Sequence, residues 1–330
     1  MAYQNVGTPR FYVNVVEWLI SNNVFIAGGT DPSSNVVLNT LPVNPTSHGD
    51  FNLSGLVGMT SNGFVATLGH TFHSTTTNYR MYEAQGEGSY NSSSAKTWYN
   101  VVNSSDNATE NNPPNDGFSI STFEGTNNLY FWIEEAKETG SIVIGTYYDM
   151  PNAPNLSLTM SREYGGTKEF TTYNGGSMSN TMWSKTPKWG DLGAWELGGY
   201  PALAKSGRRS WDLKFSYMDD GDLWGSNQSL SRAVGDTLSA SDIALYDGGI
   251  GYDLGNTTTF NYNLLTDYNF FSQVWHKTLG GTLPFIFQPD SSNNSNPDQF
   301  AICRFKDNSL KATQSALNLY DISLSIEEVW

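Results

Sequence analysis

The chain has 330 residues, with 17 basic and 32 acidic side chains and a formal net charge of −15. Only 15% of residues are charged, against about 25% in an ordinary soluble domain, yet mean hydropathy is −0.41, so the polarity comes from Asn, Ser, Thr and Gly. An aromatic content of 14% argues against disorder. The negative balance without a basic run argues against nucleic-acid binding, and the single Cys303 excludes an internal disulfide framework and a multi-Cys zinc site.

The first ten residues have no basic start followed by an apolar stretch, so the sequence predicts no secretory leader. No apolar run approaches the ~18 residues of a spanning helix, and no membrane insertion is expected. Sequons such as Asn103-Ser-Ser and Asn107-Ala-Thr then read as polar loops.

In chain order, strand signals dominate. Phe11–Leu19 is aromatic and β-branched. Phe118–Phe123 alternates, and Leu129–Ile133 and Ser141–Tyr148 are short apolar runs. Leu156–Met160 alternates again, as does Ser210–Tyr217, which predicts Trp211, Leu213, Phe215 and Tyr217 on one face. Leu283–Phe287, Phe300–Cys303 and Tyr320–Ile326 complete the set. Many short strands separated by Gly, Asn and Pro turns predict a mainly β chain, an antiparallel sandwich or barrel.

One amphipathic helix is expected: Asp267 caps it, Phe270, Phe271, Val274, Trp275 and Leu279 share a face, and Gly280-Gly281 stops it. A second, weaker helix signal covers Ala240–Tyr246. Asn103–Asp116, Tyr173–Gly193 and Asp290–Asp298 read as loops. Residues 48–150 hold enough strands for an inserted, jelly-roll-like β-sandwich, which leaves 1–47 and 151–330 as a second β-domain carrying the helix.

No catalytic motif passes a specificity test, so no enzyme activity and no cofactor are expected. His70 and His73 lack the helical His-Glu-x-x-His frame of a zincin. Asp219-Asp-Gly-Asp222 suits a hard cation but lacks the Glu closing a twelve-residue loop, and reads first as a turn. Glu134-Glu135 are adjacent and point to opposite faces of any strand, so they are not a glycosidase pair. Gly249–Gly255 has neither the spacing nor the βαβ context of a dinucleotide site. Cys303 reads as a buried inert thiol. Lys205, Arg208 and Arg209 form the one local basic cluster, either a solvated loop or an intersubunit ion pair.

Several segments resemble structural proteins of tailed bacteriophages, especially marine ones: Ile142–Met150 with Pro151–Leu156, Gly207–Met218, Phe271–Lys277, Pro284–Asp290, Asn296–Cys303 and Ile326–Trp330. Their order is similar to that of distal-tail and minor-tail proteins, with an Arg-x-Trp strand at Arg209–Trp211, one helix, a Phe-Ile-Phe strand at Phe285–Phe287 and an ending at Glu328-Val-Trp330. The resemblance implies a ring-forming β-domain, a homo-oligomer such as a hexamer, that joins the tail tube to hub or baseplate proteins in the virion after synthesis in the host cytoplasm. It also implies that 48–150 is an outward-facing insertion. The long N-terminal region and late Arg-x-Trp strand depart from the minimal order of such proteins, which leaves a fibre-bearing or tube-decorating part open.

Three functions follow as expectations. The first is a tail-tip or baseplate ring protein, with Arg208, Arg209, Trp211 and Trp330 at subunit contacts, since neutral polar surfaces avoid the cost of desolvating charge. The second is a receptor-recognition module for host surface glycan, with Trp98, Tyr99, Tyr130 and Trp132 as stacking residues, each of which reads first as core packing. The third is a sandwich-fold glycoside hydrolase, for which the sequence places no carboxylate pair.

Overall fold

The computed structural model describes residues 7–15, 62–68, 70, 72, 79–83, 99–100, 117–123, 129–133, 141–156, 159–163, 168–180, 208–224, 268–291 and 299–329. The chain is mainly β. Its strands are β1 (Arg10–Asn14), β2 (Gly63–Leu68), β3 (Tyr79–Glu83), β4 (Tyr99–Asn100), β5 (Phe118–Phe123), β6 (Leu129–Ile133), β7 (Ser141–Asp149) and β8 (Thr159–Glu163). There follow β9 (Lys168–Thr171), β10 (Ser177–Asn180), β11 (Arg208–Asp219), β12 (Phe285–Gln288), β13 (Ala301–Phe305), β14 (Ala312–Ala316) and β15 (Leu319–Glu328).

Eleven strands form one antiparallel sheet in the order β4-β5-β2-β7-β1-β12-β13-β15-β11-β8, with β14 also on β15. Two separate ribbons pair β3 with β6 and β9 with β10. The ladder does not stop at the boundary expected near residue 150. β7 is hydrogen-bonded to β2 on one edge and to β1 on the other. The strands β5 and β7, expected in an inserted sandwich, and β2, for which the sequence reading made no strand prediction, therefore continue the sheet that contains β1 and β12.

Alternation along the strands explains the layers. In β1, Phe11 and Val13 face one side and Tyr12 the other; in β12, Phe285 and Phe287 oppose Ile286. The central strands are buried on both faces, hence their near-continuous apolar runs. β11 and β15 instead alternate buried and open positions, with Trp211, Leu213, Phe215, Ile322, Leu324 and Ile326 inward. The first face is aromatic: the Phe11 ring lies 5.7, 5.5 and 5.2 Å from those of Phe270, Phe285 and Phe287. Close approach fixes one glycine here, because a Cβ on Gly145 of β7 would come 1.8 Å from the Val13 carbonyl oxygen of β1.

The expected helix is a π-helix over Phe271–His276. Its wide turn continues in two i→i+5 bonds, Gly280 N–H to Trp275 O and Leu283 N–H to Thr278 O, both 2.9 Å. Asp267 lies outside the described residues, and Asn269 Oδ1 accepts the Ser272 N–H at 2.8 Å. Phe270, Val274 and Trp275 enter the core as expected. Leu279 does not: it takes a left-handed conformation (φ 53°) and is half-exposed. The weaker Ala240–Tyr246 signal lies outside the described residues.

Three further expectations need correction. Tyr217 leaves the core face. A bulge separates the pairs Phe215–Ile322 and Met218–Tyr320, so Met218 is buried while Tyr217 is exposed with φ 59°. The strand expected at Leu156–Met160 runs instead over Thr159–Glu163, because Pro151 and Pro154 interrupt the ladder and Asn155 N–H is held by the Lys214 carbonyl at 2.7 Å. The loop expected from Tyr173 contains β10, whose partner β9 is polar and gave no apolar signal.

Candidate interaction surface

The basic cluster expected at subunit contacts sits where β11, β15 and the start of β13 meet. Antiparallel register brings Arg209 opposite the end of β15, and Glu328 accepts from it three times: Oε2 from the backbone N–H at 2.8 Å and from Nε at 3.2 Å, and Oε1 from Nη2 at 3.0 Å. Nη2 also donates to Phe300 O at 2.8 Å, and the guanidinium lies 5.4 Å from the Trp211 ring centroid. A planar fork matches a carboxylate in this way, and charge assistance strengthens each bond. Both side chains are largely buried. Arg209 is thus engaged inside the chain, and Trp211 is 3% exposed in its own core. Arg208 is exposed, and Trp330 lies outside the described residues.

A second fork ties β1 to β7, whose register sets Arg10 opposite Asp149. Arg10 Nε and Nη2 donate to Asp149 Oδ1 and Oδ2 at 2.6 and 2.7 Å, and the guanidinium stacks 4.2 Å from the Tyr147 ring centroid. Burial works against the Arg10 charge, but the hydrogen bonds and charge of Asp149 outweigh it and hold the proton more tightly than usual.

The glycan-stacking residues divide between sheets. Tyr99 is in β4, opposite Thr122 at the end of the main sheet. Tyr130 and Trp132 are two positions apart on β6, opposite Tyr82 and Arg80 of β3. Trp98 lies outside the described residues, as do His73, Glu134, Glu135, Gly249–Gly255 and Lys205.

His70 is buried and stacked on Phe72, with ring centroids 4.4 Å apart. Asp219 caps the single helical turn Asp220–Leu223, its Oδ1 accepting from Gly221 N–H at 2.9 Å. Burial and the neighbouring Asp219 charge raise the Asp222 carboxyl above its ordinary pKa. Among the described residues no group of three His, Cys, Asp or Glu is placed to hold a metal ion. Cys303 is fully buried, and desolvation raises its thiol well above the ordinary value, which leaves it protonated and unreactive.

The sequence reading missed Lys277. Its Nζ, at the end of the π-helix, donates to Gln273 Oε1 at 2.7 Å and to Thr146 Oγ1 of β7 at 3.1 Å, and the residue is 4% exposed. Both partners are neutral. Desolvation lowers its pKa to about 7. A signal was available, since Lys277 falls three residues after Val274 and seven after Phe270 on the helix face that enters the core.

Comparison of the chain with protein-family models, with curated proteins and with solved structures finds no match.

Proposed function

We propose that the chain is a structural subunit of a phage tail tip or baseplate that assembles into a homo-oligomeric ring linking the tail tube to hub or fibre proteins. One observation carries this reading. The separate segments that resemble distal-tail proteins converge on a single core: Tyr148 of β7, Trp211 of β11, Trp275 of the π-helix, Phe287 of β12, Cys303 of β13 and Ile326 of β15 belong to one cluster. Segments spread over more than half the chain therefore act as one folding unit. The low charge density supports it further, because Asn, Ser and Thr cost less to bury against a neighbour than charged groups do. Arg208 and Trp330 are the contact residues retained in this reading, since Arg209 and Trp211 serve the chain's own interior. Size-exclusion chromatography with light scattering at micromolar concentration tests it. A single species of several subunits is expected, and a strict monomer would sink the ring.

A second reading has its own observation. The β3–β6 register sets Tyr82 opposite Tyr130 and Arg80 opposite Trp132, which concentrates aromatic residues on one two-stranded ribbon suited to stacking a sugar ring. Glycan-array binding lost in Trp132→Ala, with folding intact, supports this host-recognition role; no binding by the wild type excludes it.

A further inference from the structure

The hairpin β9–β10 stands apart from the main sheet. Its register places Phe170 directly opposite Met178, and the two are 55% and 63% exposed. Tyr173, in the turn between them, is fully exposed. The turn is well held. Thr172 N–H donates to Gly176 O at 2.7 Å, Gly176 N–H donates to Thr172 Oγ1 at 2.9 Å, and Gly175 supplies the left-handed conformation (φ 78°). A defined turn thus presents three large apolar side chains to water, on a two-stranded ribbon of a kind that is marginal by itself.

We propose that this hairpin is an arm that docks on a second copy of the chain, with Phe170, Tyr173 and Met178 at the centre of the contact. This rests on the ring reading above and names the element that makes the contact.

Charge favours a second copy as the occupant. Two chains of net charge −15 repel each other, and approach is least costly where neither carries charge. The sequence from Phe170 to Ser184 contains no charged residue. Just before the arm, exposed Arg162 lies on β8, the last strand of the main sheet, opposite Arg209, with exposed Arg208 beside it on β11. Glu163 lies opposite Arg208 in the same register and Glu169 follows Lys168, so both signs alternate at the root of the arm and the uncharged stretch begins directly after them. Lys168 begins β9 five residues after Glu163 ends β8, so the arm starts within about 18 Å of that edge.

The area is of the right order. Phe170 and Tyr173 together bring about 300 Å². Met178 and exposed Leu156 and Met160 of the same edge add to this. With as much again covered on the receiving copy, the contact reaches the roughly 1,000 Å² of a specific interface.

The test is native mass spectrometry and sedimentation of the full chain over a concentration series. Wild type is compared with the triple variant Phe170→Ser/Tyr173→Ser/Met178→Ser and with Leu317→Ser, an exposed apolar residue at the β14–β15 turn. Wild type and Leu317→Ser are expected to assemble alike, and the triple variant to need at least about tenfold higher concentration, as for loss of interface hot spots. If circular dichroism shows the triple variant unfolded, Tyr173→Ser alone is read the same way. A triple variant that assembles like wild type overturns the arm and leaves the ring reading standing. Equal weakening by Leu317→Ser overturns it too, as non-specific association. A monomeric wild type overturns both.

Discussion

The backbone N–H of Tyr217 donates to the Asp321 carboxylate Oδ1 at 3.0 Å, where β11 sets two residues, Ser216 and Tyr217, against the single Asp321 of β15. The extra residue turns the Tyr217 side chain outward and passes its place in the core to Met218. Strict alternation from Trp211 puts Tyr217 inside, so the two arrangements predict opposite mutational results. Met218→Ala is expected to lose about 2–4 kcal/mol on urea unfolding. Tyr217→Gly is expected to change stability by less than about 1 kcal/mol, because relief of the left-handed conformation offsets the added chain entropy. A large loss for Tyr217→Gly with little for Met218→Ala would restore the unbulged register.

Arg209 and Glu328 close the sheet where β11, β15 and Phe300 meet. Removing one partner of a largely buried pair leaves the other charge uncompensated, so Arg209→Met and Glu328→Leu are each expected to cost about 3–5 kcal/mol. The double substitution is expected to recover most of that loss. Additive losses in chemical denaturation would show that the two do not act as a unit.

Lys277 sets a pH dependence. Its pKa falls from 10.5 in the open chain to about 7 in the fold. Between those values the unfolded chain binds the extra proton, so stability rises with pH across that window and the destabilisation is complete below it. Wild type is expected to gain about 2 kcal/mol between pH 7 and pH 9, a slope that approaches 1.36 kcal/mol per unit. Lys277→Met is expected to be more stable at pH 7 and to lose this slope. Parallel profiles for the two proteins would contradict the neutral buried amine.

Gly145 is predicted to tolerate no side chain. A Cβ there would lie 1.8 Å from Val13 O and 3.0 Å from the Phe64 ring, so β1 and β7 would have to separate. Gly145→Ala is expected to cost at least about 2 kcal/mol, read as a lower melting temperature. An unchanged melting temperature would mean that the two strands are not this close.

What the sequence made legible follows the apolar pattern. β5 and β6 match their expected bounds, and the inward residues of β11 and β15 were readable up to the bulge, because one face of each meets the core. β2, β3, β4, β9, β10 and β14 were not read from the sequence: the described side chains of β9, β10 and β14 are mostly exposed, and backbone pairing alone leaves no periodic trace, whereas β2 was missed although it is buried throughout. The bulge was hidden because it depends on Asp321, a hundred residues away in sequence. Arg209 was singled out as a contact residue, but its intrachain partner Glu328 comes close only through the β11–β15 register. Lys277 was masked by its charge, which by composition alone reads as solvated.

Negative-stain electron microscopy of the purified full chain tests the ring directly. Closed rings of uniform diameter with a central opening are predicted. A field of single compact particles at concentrations where the chain is folded would contradict it.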